Sequence, residues 1–134
     1  MAFGDKLKKT IMERVTGLGG FFFKSQDPEK LREWYDQHLG IKKNQYGTVF
    51  EWKGENGEKG QTIWNPFKEN TKYFDPSEKQ FMINYRVRDL LGLLEVLKKE
   101  GVTVVGEPQV YDYGKFGWIL DPEGNKIELW EPID

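Results

Sequence analysis

The feature that most constrains the fold of this chain is an internal repeat. Asp27 and Asp89 lie 62 residues apart, Gly40 and Gly101 lie 61 apart, and Ile63-Trp64-Asn65-Pro66 precedes Leu129-Trp130-Glu131-Pro132 by 66. Three landmarks in the same order at similar spacing indicate two copies of one supersecondary unit. In the first copy, Gly19-Gly20-Phe21-Phe22-Phe23-Lys24 is an aromatic strand candidate bounded by glycines. Asp27-Pro28-Glu29 then opens a helix. The Asp accepts from free amides, Pro suits the first turn, and Glu favours the positive end of the dipole. Leu31, Trp34, Tyr35 and Leu39 form the apolar stripe of that helix, and Gly40 ends it. Ile41–Tyr46, Thr48–Lys53 and Gln61–Pro66 read as strands, with Glu55-Asn56-Gly57 turning between the last two.

The second copy follows the same course. Phe81–Val87 is a strand, Asp89 caps a helix with the stripe Leu90, Leu93, Leu94 and Leu97, and Gly101 ends it. Val102–Val105, Val110–Tyr113, Phe116–Leu120 and Lys126–Trp130 are strand candidates, with a turn at Asp121-Pro122-Glu123-Gly124-Asn125. A single unit leaves one face of its sheet uncovered. Two units joined edge to edge enclose a hollow and carry their helices outside. The expectation is an α+β domain spanning 1–134, in which two βαβββ modules form an eight-stranded, cup-shaped mixed sheet. Module one covers 17–67, a polar linker 68–79, and module two 80–132. Residues 1–14 read as a short N-terminal helix with Phe3, Leu7, Ile11 and Met12 about one turn apart and lysines between. Capping the domain, packing on a partner subunit and fraying all remain open for it.

Composition removes several function classes. The formal net charge is -2, with 31% charged residues of both signs interspersed, so neither a nucleic-acid nor a membrane partner is expected. There is no cysteine, which excludes disulfides, thiolate metal sites and a thiol nucleophile. No apolar run approaches the ~18 residues of a membrane span, and the N-terminal residues lack the apolar core of a signal peptide. A cytoplasmic location is therefore expected. Aromatic residues make up 15% of the chain, five of them Trp, enough to fill a core or to line a pocket for a flat ligand.

Three segments carry a family resemblance: Phe22-Phe23-Lys24 to Asp27-Pro28, Trp34-Tyr35 to His38-Leu39-Gly40, and the run Phe116 to Pro132. In these the chain resembles the vicinal-oxygen-chelate superfamily, which includes glyoxalase I, bleomycin-resistance proteins and extradiol dioxygenases, over roughly residues 17 to 132. The last segment is specific for the superfamily and for no single activity. The resemblance implies metal ligands on the first and last strand of each module. Counted from the capping aspartates, those positions hold Gly20 and Met82, and the last-strand positions hold Thr62 and Glu128. Only Glu128 offers a good ligand. With one His (His38, near a helix end) and no Cys in the chain, neither a two-His iron site nor an ordinary catalytic zinc site can be assembled. No metal and no other cofactor is expected.

Strand alternation and the resemblance together aim Gly20, Met82 and Glu128 into the cup. Phe22, Trp64, Asn84 and Trp130 join them, Lys24 and Arg86 stand near the rim, and Tyr111, Tyr113 and Trp118 are further candidates. Phe21, Phe23, Ile83, Tyr85, Ile127 and Leu129 are then the core beneath the helices. Glu128 reads equally as a charged anchor or general base and as half of an ion pair with Arg86 or Lys24. Trp64 and Trp130 read equally as packing residues. The leading functional expectation is a metal-independent, homodimeric small-molecule binder that holds a planar or metabolite ligand in an aromatic cup. One alternative is a glyoxalase-like lyase or isomerase using Glu128 as base or metal ligand. Another is a protein-interaction module that docks through its N-terminal helix.

Overall fold

The computed structural model describes residues 14–133; the expected N-terminal helix lies, but for Arg14, outside the described residues. Nine elements follow: β1 (Val15–Ser25), α1 (Pro28–Leu39), β2 (Thr48–Lys53), β3 (Lys59–Lys68), β4 (Phe81–Val87), α2 (Leu90–Lys99), β5 (Gln109–Tyr111), β6 (Gly114–Leu120) and β7 (Lys126–Pro132). The strands form one mixed sheet in the order β2-β3-β1-β4-β7-β6-β5. β1 lies parallel to β3, and β4 lies parallel to β7. The two halves meet where β1 runs antiparallel to β4.

Both helices begin and end as their capping residues dictate. Asp27 accepts from the Lys30 amide at 3.2 Å and Asp89 from the Gly92 amide at 3.1 Å. Glu131 adds a second acceptor at the start of α2, taking the Leu90 amide at 2.9 Å and tying that helix to β7. Gly40 closes α1 in the left-handed conformation at φ 69°. α1 packs on β3 and β1, and α2 on β6 and β7.

Among the described residues the sheet has seven strands where eight were expected. Ile41–Tyr46 forms a loop because local side chains take its backbone groups. Lys43 donates to Asp36, Tyr46 donates to the Asn44 side chain, and the Lys42 carbonyl accepts from Thr48 Oγ1. Val102–Val105 contributes only an isolated bridge, Val104 to Ile119. It runs along the same edge of β6 as β5 does, and Gly106 (φ 69°), followed by Glu107 and Pro108, breaks the two apart.

Each face of the sheet carries its own core. Val87, Leu90, Leu93, Leu94 and Leu129 pack beneath α2. Phe22, Phe74 and Met82 are buried on the opposite face. The core expected under the helices is only partly sealed: Leu129 is buried, whereas Phe21 keeps 40% of its surface exposed. The Asp121–Asn125 turn sets the register that places Trp118 opposite Glu128. Asp121 accepts from the Glu123 and Asn125 amides and from Asn125 Nδ2. These bonds, the Asn125 side chain foremost, hold its carboxyl below the usual value of 3.8. Gly124 stands in that turn at φ 81°, with open space where a Cβ would sit. Gly124→Ala should therefore cost about 1–2 kcal/mol through backbone strain alone, read as a lower urea midpoint with an unchanged m-value. An unaltered midpoint would mean that the turn does not impose this conformation.

Candidate functional site

Residues 126, 128 and 130 of β7 point away from α2, so Lys126, Glu128 and Trp130 fall on the helix-free face with Phe22, Met82 and Asn84. Glu128 is the centre of that face. Only 3% of its surface is exposed, and three donors hold its carboxylate. Asn84 Nδ2 donates to Oε1 at 2.7 Å, and Trp118 Nε1 donates to Oε2 at 2.9 Å. The Tyr73 hydroxyl donates to the same Oε2. A buried carboxylate without partners would be prohibitively costly; with three charge-assisted bonds it is a stable fixture.

The Tyr73 hydroxyl comes from the segment between β3 and β4, read from sequence as a polar linker. This strap crosses the helix-free face and inserts Phe74, which is fully buried against Phe67 at 5.3 Å between ring centroids. Lys126 fastens it, its ammonium donating to the Tyr73 carbonyl at 2.8 Å and lying over the Tyr73 and Trp118 rings. Burial pulls the Lys126 ammonium below its ordinary value of 10.5, and Glu128 and Asp75 partly oppose this. The Tyr73 phenol moves the other way. Burial first, then the charge of Glu128 and the bond to it, push the phenol far above its ordinary value of 10.0.

The strap fills the inner part of the expected cup. A cavity of about 440 Å³ stays open beside it, lined by Tyr73, Gln109, Tyr111, Tyr113, Phe116 and Trp118. Tyr111 and Tyr113 stack there, 5.0 Å apart and within 5° of parallel, with both rings exposed.

The sequence-derived candidates thus divide. Phe22, Met82, Asn84, Trp118 and Glu128 come together under the strap, and Lys24 lies over the Phe74 ring at 5.6 Å. Arg86 and Trp130 form a neighbouring group in which the guanidinium sits between Trp130 at 5.1 Å and Trp52 at 5.9 Å. Glu128 does not pair with Arg86 or Lys24; neutral donors satisfy it instead. Trp64 is not part of this face. Its ring packs on Tyr35 of α1 at 4.9 Å and on Phe23 at 5.5 Å, while Ile63 and Phe67 reach the cluster from the other side of β3. Tyr73, Phe74 and Gln109 were not among the sequence candidates. The paired aromatics Tyr73-Phe74 inside a polar run were the available signal for the first two.

Residues 17–129 match the profile of the Glyoxalase/Bleomycin resistance protein/Dioxygenase superfamily. The chain belongs to that superfamily. Among solved structures, a Streptomyces coelicolor methylmalonyl-CoA epimerase in complex with 2-nitronate-propionyl-CoA is 15% identical at a TM-score of 0.65, covering 90% of this chain and 99% of that one. Methylmalonyl-CoA epimerase from Mycobacterium tuberculosis is 25% identical at a TM-score of 0.55, covering 90% of each chain. A superfamily member from Vibrio splendidus 12B01 is 11% identical at 0.53, covering 85% of this chain and 98% of that one. No curated protein matches the sequence. Among the described residues, no helix is long and apolar enough to cross a membrane.

The positions at which the superfamily resemblance implies metal ligands do not fit an ion in this chain. A Cβ at Gly20 would meet the Phe22 ring at 2.8 Å, and Met82 is a fully buried thioether. The Thr62 hydroxyl accepts from Trp52 Nε1 at 2.7 Å and donates to the Leu18 carbonyl. Among the described residues no three His, Cys, Asp or Glu side chains gather where they could hold an ion.

Removing the strap's donor tests the caged carboxylate. Tyr73→Phe should lower the unfolding free energy by about 1–3 kcal/mol at pH 7, the usual range for losing a bond to a charged group. The folded phenol titrates above the unfolded one, so the wild-type chain loses stability as pH rises past 10.0. The Phe variant lacks that loss, so the stability gap between the two should narrow steadily as pH rises above 10. Curves that stay parallel would show that the bond is not made in solution.

Proposed function

We propose that this protein is a metal-independent small-molecule binder of the glyoxalase/bleomycin-resistance type, taking a planar ligand against the stacked Tyr111–Tyr113 pair. The observation that carries this reading is the open aromatic cavity next to the strap, with Gln109 as its one non-aromatic lining residue. Its size falls within the ~300–1,000 Å³ usual for small-molecule sites. Aromatic walls with a neutral amide favour a flat, uncharged or delocalised ring system bonded to that amide. Glu128 then holds the strap and its aromatic wall in place, which is a positioning role. We take the chain as one domain of two modules, 17–67 and 80–132, bridged by 68–79, cytoplasmic and homodimeric.

A second reading, an isomerase or lyase with Glu128 as base, is favoured by the likeness to the Mycobacterium tuberculosis epimerase. It requires Tyr73 and Phe74 to withdraw, because both oxygens of Glu128 already accept bonds.

A thermal-shift and Trp-fluorescence screen of the full chain with flavins, indoles, aromatic acids and acyl-CoA esters tests both readings. The binding reading expects a planar compound to raise the midpoint, and Tyr111→Ala/Tyr113→Ala to weaken that compound about fivefold or more at ~0.5–1.5 kcal/mol per aromatic contact. Affinity unaffected by the double variant, or no hit among planar compounds, would overturn it. Exchange of an acyl-CoA α-proton with solvent deuterium, abolished in Glu128→Gln, would establish the second reading instead.

A further inference from the structure

The cavity beside the strap has an electrostatic character set by what stands behind its walls. No lining side chain carries a formal charge, and five of the six are aromatic. Aromatic rings are negative on their faces and positive at their edges. Two of these rings are polarised further. Tyr73 and Trp118 both direct their polar hydrogens to Oε2 of Glu128, the phenol through its O–H and the indole through its N–H at 2.9 Å. A donor bonded to a buried carboxylate shifts electron density back into its own ring, because hydrogen bonds in a low dielectric polarise the groups they join. The ring faces then attract a cation more strongly. The protein uses them in this way itself. The Lys126 ammonium lies 5.5 Å from the Tyr73 ring centroid and 5.6 Å from that of Trp118. Lys126 and Glu128 offset one another behind the wall, so the ring faces decide which charge the cavity favours. At its rim the exposed Asp112 stands between Tyr111 and Tyr113 in the β5–β6 turn and adds negative charge.

We propose, building on the planar-ligand reading of this cavity, that its ligand is a planar organic cation with the charge spread over a heteroaromatic ring, and that Glu128 sets this preference through Tyr73 and Trp118 without touching the ligand. An anion finds no cationic side chain among the lining residues to pair with. A neutral hydrocarbon gains burial but little attraction to the ring faces. A delocalised cation is more weakly hydrated than a compact ammonium, so it enters an aromatic cavity at lower desolvation cost. Glu128 is thus a positioning and polarising residue for this site.

Two probes of one shape and different charge test this: 1-methylquinolinium and 1-methylnaphthalene. Equilibrium dialysis against the full chain should show the quinolinium binding about threefold tighter or more, although the naphthalene is the more hydrophobic. Glu128→Gln should bring that ratio to one or below and leave the naphthalene affinity unchanged. This variant can keep the strap. Asn84 Oδ1 is buried without a partner, so the Asn84 amide can turn over to accept from the new amide, whose oxygen still serves Tyr73 and Trp118. Naphthalene binding as tightly as quinolinium to the unaltered chain would overturn the proposal and leave the planar reading standing. A cation preference unchanged in Glu128→Gln would overturn the part given to Glu128. Quinolinium binding that survives Tyr111→Ala/Tyr113→Ala would put the cation outside the cavity, which also defeats the proposal. Binding of neither probe would sink it together with the planar reading.

Discussion

The Glu128 carboxylate organises the helix-free face of this protein. A charge so deeply buried is tolerable only when its oxygens are fully engaged, and each donor comes from a different element: Asn84 from β4, Trp118 from β6, Tyr73 from the strap. The carboxylate therefore joins β4 and β6 to the segment between β3 and β4. The strap in turn brings Phe74 into the space between Phe22, Met82 and Phe67, where it completes a core that the strands alone leave hollow. Loss of the carboxylate would leave the buried Asn84 amide and the partly buried Tyr73 and Trp118 donors without their acceptor and release the strap, so one polar residue governs an apolar core.

The same arrangement separates this chain from a metal-centred relative. A superfamily fold encloses a space that can hold an ion and its substrate. Here a Phe ring stands over Gly20, Met82 is a thioether, and the remaining carboxylate faces indole, amide and phenol donors. Each of these groups supplies a proton to Glu128, which suits a carboxylate and repels a cation. An opening on this face lies to one side, against β5 and β6, where tyrosines stand in place of charged groups.

Much of this was legible from residue order. Asp27, Gly40 and Asp89 marked helix ends because capping is local chemistry. Alternation along β4 and β7 placed Met82, Asn84, Glu128 and Trp130 on one face because the strand period is fixed. Trp64 was misassigned because the match between Ile63-Trp64 and Leu129-Trp130 hides a difference in which residue of the pair faces the helices. The Ile41–Tyr46 loop looked like a strand because its hydropathy gives no sign that Asp36 and Asn44 would capture its amides. The strap was hidden for a tertiary reason. Its polar residues describe a surface segment, and only the distant Glu128 and Lys126 explain why Tyr73 and Phe74 turn inward.

The interruption at Gly106-Glu107-Pro108 has a consequence for assembly. A sheet grows only where an outer strand presents a continuous row of free amides and carbonyls. At the β5 margin that row is cut into a lone bridge and a three-residue strand, too short to template another chain. The opposite margin is the uninterrupted six-residue β2, with Val49 and Phe50 exposed. The molecule is thus protected against strand-by-strand polymerisation at one margin and vulnerable at the other, so any fibre or β-type dimer it forms must start from β2.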